Sequence, residues 1–170
     1  RKLGDKGVGI QGDLTNLPIE SNTMDAVTCN HVIYLIPEEK QKDAFLEVWR
    51  VLKPGGVAVV VYWWPYAPLT VRLQRWAERF IERGAAAEAL ADQPTMYHYY
   101  HSRAWFESQQ WPFRYDYDIY RLVDNSFLRD FVSDDWRGRL FLQGLYALQA
   151  AAPAFCGRHG LMPAIVIYKD

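Results

Sequence analysis

Cysteine is scarce: there are two in 170 residues, Cys29 and Cys156, far apart and in no Cys-x-x-Cys pair. That spacing provides no disulfide framework and no metal site, and it reads as two reduced thiols in a cytoplasmic protein. An excess of either charge is missing too, since 19 Lys and Arg face 20 Asp and Glu for a formal net charge of -1. A chain that grips nucleic acid by neutralising phosphates needs a basic surplus, so no nucleic-acid partner is expected. The longest apolar run, Val57 to Trp64, is far too short to span a bilayer. What the chain has in quantity is aromatic: seven Trp, eleven Tyr and eight Phe, gathered toward the second half. With half its residues hydrophobic, it can bury a core, and its length suits one domain over residues 1–170.

The first sixty residues alternate between strand and helix patterns. Gly7 to Gly12 places β-branched residues two apart and reads as a short strand ending at Asp13. Leu14 to Thr23, with Pro18, Ser21 and Asn22, is loop chemistry. Asp25 to Asn30 is a compact apolar run, expected of a parallel strand covered on both faces. Pro37, Glu38 and Glu39 open a helix in which Phe45, Val48, Trp49 and Leu52 make one buried stripe. Lys53-Pro54-Gly55-Gly56 stops it, and Val57 to Tyr62 follows as the strongest strand. The order predicts a parallel sheet with helical crossovers.

Further on, Pro68 to Arg83 reads as a helix capped at Gly84, and its arginines at 72, 75, 79 and 83 read as a solvated face beside Glu78 and Glu82. An aromatic and histidine cluster spans Tyr97 to His101. Ser102 caps a short helix through Trp105 and Phe106. Tyr115 to Val123 and Pro163 to Tyr168 read as strands, and Gly138 to Ala152 as a buried helix.

Gly7, Gly9 and Gly12 satisfy Gly-x-Gly-x-x-Gly. That motif holds a phosphate only where a helix starts straight after it, and Asp13 to Pro18 cannot start one cleanly, so the match is a decoy. Open parallel sheets bind ligands beyond the carboxyl ends of their strands. Those ends gather Asp13, then Asn30 and His31, then Tyr62, Trp63 and Trp64.

Gly12 to Pro18, Met24 to Val27, and Glu47 to Gly56 with its Arg-Val-Leu-Lys-Pro-Gly-Gly turn together resemble the class I S-adenosylmethionine-dependent methyltransferases, type 11 group. Tyr100 to Phe106 and Gly157 to Pro163 are similar to members of that family from surface-polysaccharide gene clusters. The resemblance implies an α/β, Rossmann-like sheet, mostly parallel with an antiparallel C-terminal strand, and S-adenosyl-L-methionine as cofactor. It implies that Asp13 accepts a hydrogen bond from the adenine amine, that the Leu14 amide faces a ring nitrogen, and that Asn30 and His31 lie along the methionine arm. The family's glycine-rich first loop and ribose-binding acid find no match, so the chain is expected to be the C-terminal two-thirds of such a domain, with the first strands missing. Taken alone, such a piece is expected to bind cofactor poorly and to associate through open sheet edges.

Methyl transfer to a small-molecule or glycan acceptor, at oxygen, would need a general base. His31 is the first candidate, with His98 and His101 behind it. Trp63, Trp64, Tyr66 and the Tyr97 to His101 cluster, with Tyr62, would form an aromatic acceptor wall that excludes water. Two other readings stand beside this one: a non-catalytic remnant or partner subunit with the same fold, and an NAD(P)-dependent reductase, whose Tyr-Lys pair cannot be placed.

Overall fold

A computed structural model describes residues 7–77 and 98–170. Its centre is a four-stranded sheet in the order β1-β2-β4-β3, formed by β1 (Met24–Asn30), β2 (Leu52–Val61), β3 (Arg114–Arg121) and β4 (Met162–Tyr168). β1 and β2 are parallel, and β4 is antiparallel to both β2 and β3. Three strands therefore run one way and the C-terminal strand runs against them, as expected from the sequence.

The helix α1 (Gln41–Val51) crosses from β1 to β2, and its stripe of Ala44, Phe45, Val48 and Val51 is fully buried. Each large side chain buried this way contributes about 1.5–3 kcal/mol. Lys53-Pro54-Gly55-Gly56 does not separate helix from strand. It is an outward loop within β2, where the ladder jumps from Met24–Leu52 to Ala26–Val57. Gly55 takes a positive φ of 81° there, and Lys53 Nζ ties the loop to Asp25 Oδ1 at 2.7 Å.

α1 and the short α3 (Arg103–Ser108) share one aromatic core of Phe45, Tyr62, Trp64 and Phe106. Ser102 Oγ caps α3 by accepting from Trp105 N–H at 3.2 Å. A second cluster joins Leu122 and Val123 to α4 (Asn125–Phe131), α5 (Trp136–Ala151) and α6 (Pro153–His159), with α2 (Pro68–Ala77) packed against it. On α2, Arg72 and Arg75 are exposed, as a solvated face requires. Arg79, Arg83, Gly84 and Tyr97 lie outside the described residues.

Three expectations are corrected. Residues 7–12 form no strand, because a glycine-rich segment brings few side chains to pack and finds no partner among the described residues; only an Asp13–Asn16 bridge follows. Among the described residues β1 is an edge strand with one open face, not one covered on both sides. α5 is not buried: only Gly138 and Leu145 are, while Leu140 and Tyr146 remain 61% and 63% exposed. Its apolar residues surround the helix, and a single stripe can reach the core.

α6 lies so close to β3 that a β-carbon on Gly157 would overlap the Asp118 carbonyl. Gly157→Ala is therefore expected to destabilise the fold by at least about 1–3 kcal/mol. A lower denaturant midpoint at unchanged slope would show it, and an unchanged midpoint would contradict the close packing.

Candidate cofactor and acceptor site

Asn30 ends β1 directly opposite Val61 of β2, so His31 and Tyr62 leave the sheet side by side. The His31 N–H donates to Val61 O at 3.3 Å. A helix joining parallel strands runs back against them, which puts the start of α1 at this same rim. The loop after Asp13 descends along α1. Leu17 N–H donates to Glu47 Oε2 at 2.8 Å, and Arg50 Nη2 donates to the Leu17 and Ile19 carbonyls at 3.1 and 2.8 Å. Thr23 N–H reaches Val51 O at 2.9 Å at the helix end. Asp13, at the head of the loop, feels the charge of Lys40 just before α1.

Asp13 Oδ1 accepts from Thr15 N–H at 2.8 Å and from Thr15 Oγ1 at 2.9 Å. These bonds, backbone first, hold its carboxyl below the usual range. Oδ2 and the adjacent Leu14 N–H have no protein partner among the described residues. Leu14 is half-buried against the core. An ionised acceptor beside an amide donor, on a held loop, matches a flat ligand edge that offers a donor next to an acceptor.

His31 has φ +60°, which turns the chain off the strand end. Its ring lies edge-on to Tyr34 at 6.1 Å and to Tyr120 at 5.3 Å. Partial burial, and then the Arg121 charge, push its pKa below 6.5, so the imidazole is neutral at physiological pH. The aromatic row continues from Tyr34 to Tyr100 at 5.0 Å and from Tyr100 to Trp63, stacked at 5.7 Å. His98 joins Tyr100 at 4.9 Å. Behind Trp63 a cleft of about 270 Å³ opens toward Thr70, Asp124 and Phe127.

Other residues expected on the wall have core duties. Trp64 is 1% exposed and donates to Gly157 O at 3.2 Å. His101, 7% exposed, stacks on Trp105 at 3.5 Å, with Nε2 at 3.2 Å from Glu38 O. Buried Tyr62 donates its hydroxyl to Gln41 Oε1 at 2.6 Å and accepts from His101 N–H at 3.0 Å. Gln41 Nε2 in turn donates to Tyr99 O at 2.9 Å and Ile36 O at 3.1 Å. This network fastens the 98–101 segment to the rim, so these side chains support the site from beneath and present no surface to a ligand. Tyr66 is 82% exposed and stands apart, in a shallow cleft with Val71, Ser102 and Arg103.

Tyr62→Phe strands Gln41 Oε1 and the His101 amide in the core. It is expected to destabilise the protein by about 1–3 kcal/mol and to speed hydrogen exchange at the His101 amide. Unchanged exchange there would contradict the fastening role.

Among the described residues no three His, Cys, Asp or Glu side chains form a metal cluster, and no single helix is long and apolar enough to cross a membrane. Both thiols are buried, and burial pushes Cys29 up to about 11, which suppresses its nucleophilic form.

Residues 1–60 match the model of a methyltransferase domain. Over 63 residues, 37% of this chain, the sequence is 38% identical to the sterol 24-C-methyltransferase of Schizosaccharomyces pombe, and the match spans 16% of that enzyme. Two solved structures resemble the fold. One, from Thermotoga maritima, is an S-adenosylmethionine-dependent methyltransferase described as a possible histamine N-methyltransferase; it has a TM-score of 0.53 at 14% identity, over 95% of this chain and 63% of that one. The other, an S-adenosylmethionine-dependent methyltransferase from Archaeoglobus fulgidus, has a TM-score of 0.50 at 9% identity, over 93% and 66%.

The family model covers 60 of the 170 residues, so it is the front of the chain that is similar to methyltransferase domains. The two structural likenesses speak for the methyltransferase fold, and the chain spans less than two-thirds of either structure. At the rim of this methyltransferase fold, sequence reasoning missed Tyr34, Gln41, Tyr120 and Arg121. Only Tyr34, three residues after His31 in a segment turned across the strand ends, gave any sign.

Proposed function

We propose that the protein transfers a methyl group from S-adenosylmethionine to a hydroxyl of a small-molecule or glycan acceptor. The pairing of Asp13 Oδ2 with the Leu14 N–H carries this reading, since neither has a partner among the described residues and their donor-acceptor order complements the amino edge of adenine. When bound, the cofactor supplies an electrophilic methyl carbon on a sulfonium. Asp13 accepts from the purine amine, Leu14 donates to a ring nitrogen, and Asn30 and His31 line the path toward the reacting end. Trp63, Tyr100 and Tyr34 wall the acceptor side and exclude water.

A neutral His31 takes the hydroxyl proton as the oxygen attacks. The arrangement favours an oxygen acceptor because such an acceptor needs a base, and a neutral imidazole stands at the rim. The buried free thiols agree with a cytoplasmic protein.

The test is transfer of labelled methyl from S-adenosylmethionine by the full-length protein to a panel of hydroxyl, amine and carbon acceptors. Label in a methyl ether is the expected result. Label confined to nitrogen or carbon would overturn the oxygen assignment.

A further inference from the structure

Two departures from regular backbone meet at one contact. His31 is held at φ +60°, a conformation that costs a residue bearing a β-carbon about 1 kcal/mol or more. In β3 the ladder passes from Ile119–Pro163 to Arg121–Met162, which leaves Tyr120 as an extra residue. A bulge re-aims the side chain that it carries, and the re-aimed Tyr120 ring lies edge-on to His31 at 5.3 Å and 71°. Because β3 runs in the same direction as β1 and β2, this end of β3 belongs to the same rim.

Arg121 comes next. Its guanidinium lies 5.4 Å from the Tyr120 ring centre and donates to Asn125 Oδ1 at 3.0 Å. Asn125 is a neutral acceptor, and no carboxylate pairs with Arg121 among the described residues. Tyr120 and Arg121 are exposed and also wall a cleft of about 220 Å³ with Leu128, Leu142 and Tyr146. At ~30 Å³ per water, that cleft has room for a single ring or a short chain.

We infer that the acceptor is a small molecule bearing a carboxylate or a phosphate, bound by Arg121 at the mouth of this cleft with its hydroxyl turned past Tyr120 toward His31. A planar guanidinium without an anionic partner matches either group through paired hydrogen bonds. Tyr120 fixes the distance between that charge and the imidazole, which makes it a positioning residue. The inference rests on the methyl-transfer reading and narrows its substrate class.

The test is calorimetric, with the full-length protein saturated by S-adenosylhomocysteine. The probes are two matched pairs: 4-hydroxybenzoate against its methyl ester, and glucose 6-phosphate against glucose. In at least one pair the anion is expected to bind at least about tenfold more tightly than its neutral partner, and which pair responds tells carboxylate from phosphate. Arg121→Gln, a change at an exposed position, is expected to abolish that preference, whereas Arg121→Lys retains part of it. No preference in either pair, or a preference that survives Arg121→Gln, overturns the inference. Saturation with S-adenosylhomocysteine is a separate readout: its failure would overturn the methyl-transfer reading, whatever the probes do.

Discussion

Turnover in His31→Ala is expected to fall by about 10²- to 10⁴-fold, the range for losing a general base, with the loss falling mainly on kcat. The imidazole sits just past the end of β1, edge-on to Tyr34 and to Tyr120 of β3, and burial followed by the Arg121 charge keeps its pKa below 6.5. A base works only when unprotonated. The wild-type rate should therefore be flat above neutrality and fall as pH drops through that lowered value. His31→Ala should lack this inflection. His101→Ala should reduce stability, because the ring fills the core against Trp105, yet keep the pH profile. Near-wild-type turnover in His31→Ala would remove the residue from the chemistry.

Asp13→Ala is expected to weaken cofactor binding by at least about tenfold, the scale for losing a hydrogen bond to a charged acceptor. A plain turn carboxylate makes a different prediction. Oδ1 already holds Thr15 through two bonds, so a turn role predicts lost stability with unchanged affinity. Asp13→Asn separates the two, since an amide oxygen can still accept from Thr15 while the ionised acceptor is gone. Calorimetry on both variants beside a denaturation curve decides. Loss of affinity in both supports recognition of the purine, and intact affinity with lower stability leaves only the turn.

α1 and β2 were legible because their apolar residues recur at the helical and extended periods and their partners lie close in sequence. The rim was legible in outline, since strand ends on a parallel sheet collect a ligand's neighbours whatever the loops do. Residues 7–12 misled because alternation makes a strand only where a ladder is available. The depth of Tyr62 and His101 was invisible, because it depends on Gln41, which lies 21 residues before Tyr62 and fastens 58 residues ahead to Tyr99. Tyr120 and Arg121 were invisible for a related reason: a bulge is a property of two strands paired, and neither sequence segment states it alone. The apolar density of α5 suggested burial, but density does not say how many faces have somewhere to go.

The most direct measurement is a crystal structure of the full-length protein with S-adenosylhomocysteine. It should place the adenine amine 2.7–3.2 Å from Asp13 Oδ2, the ordinary span of such a bond, with a ring nitrogen accepting from the Leu14 N–H. An adenine bound elsewhere, with Asp13 still turned only to Thr15, would contradict the account.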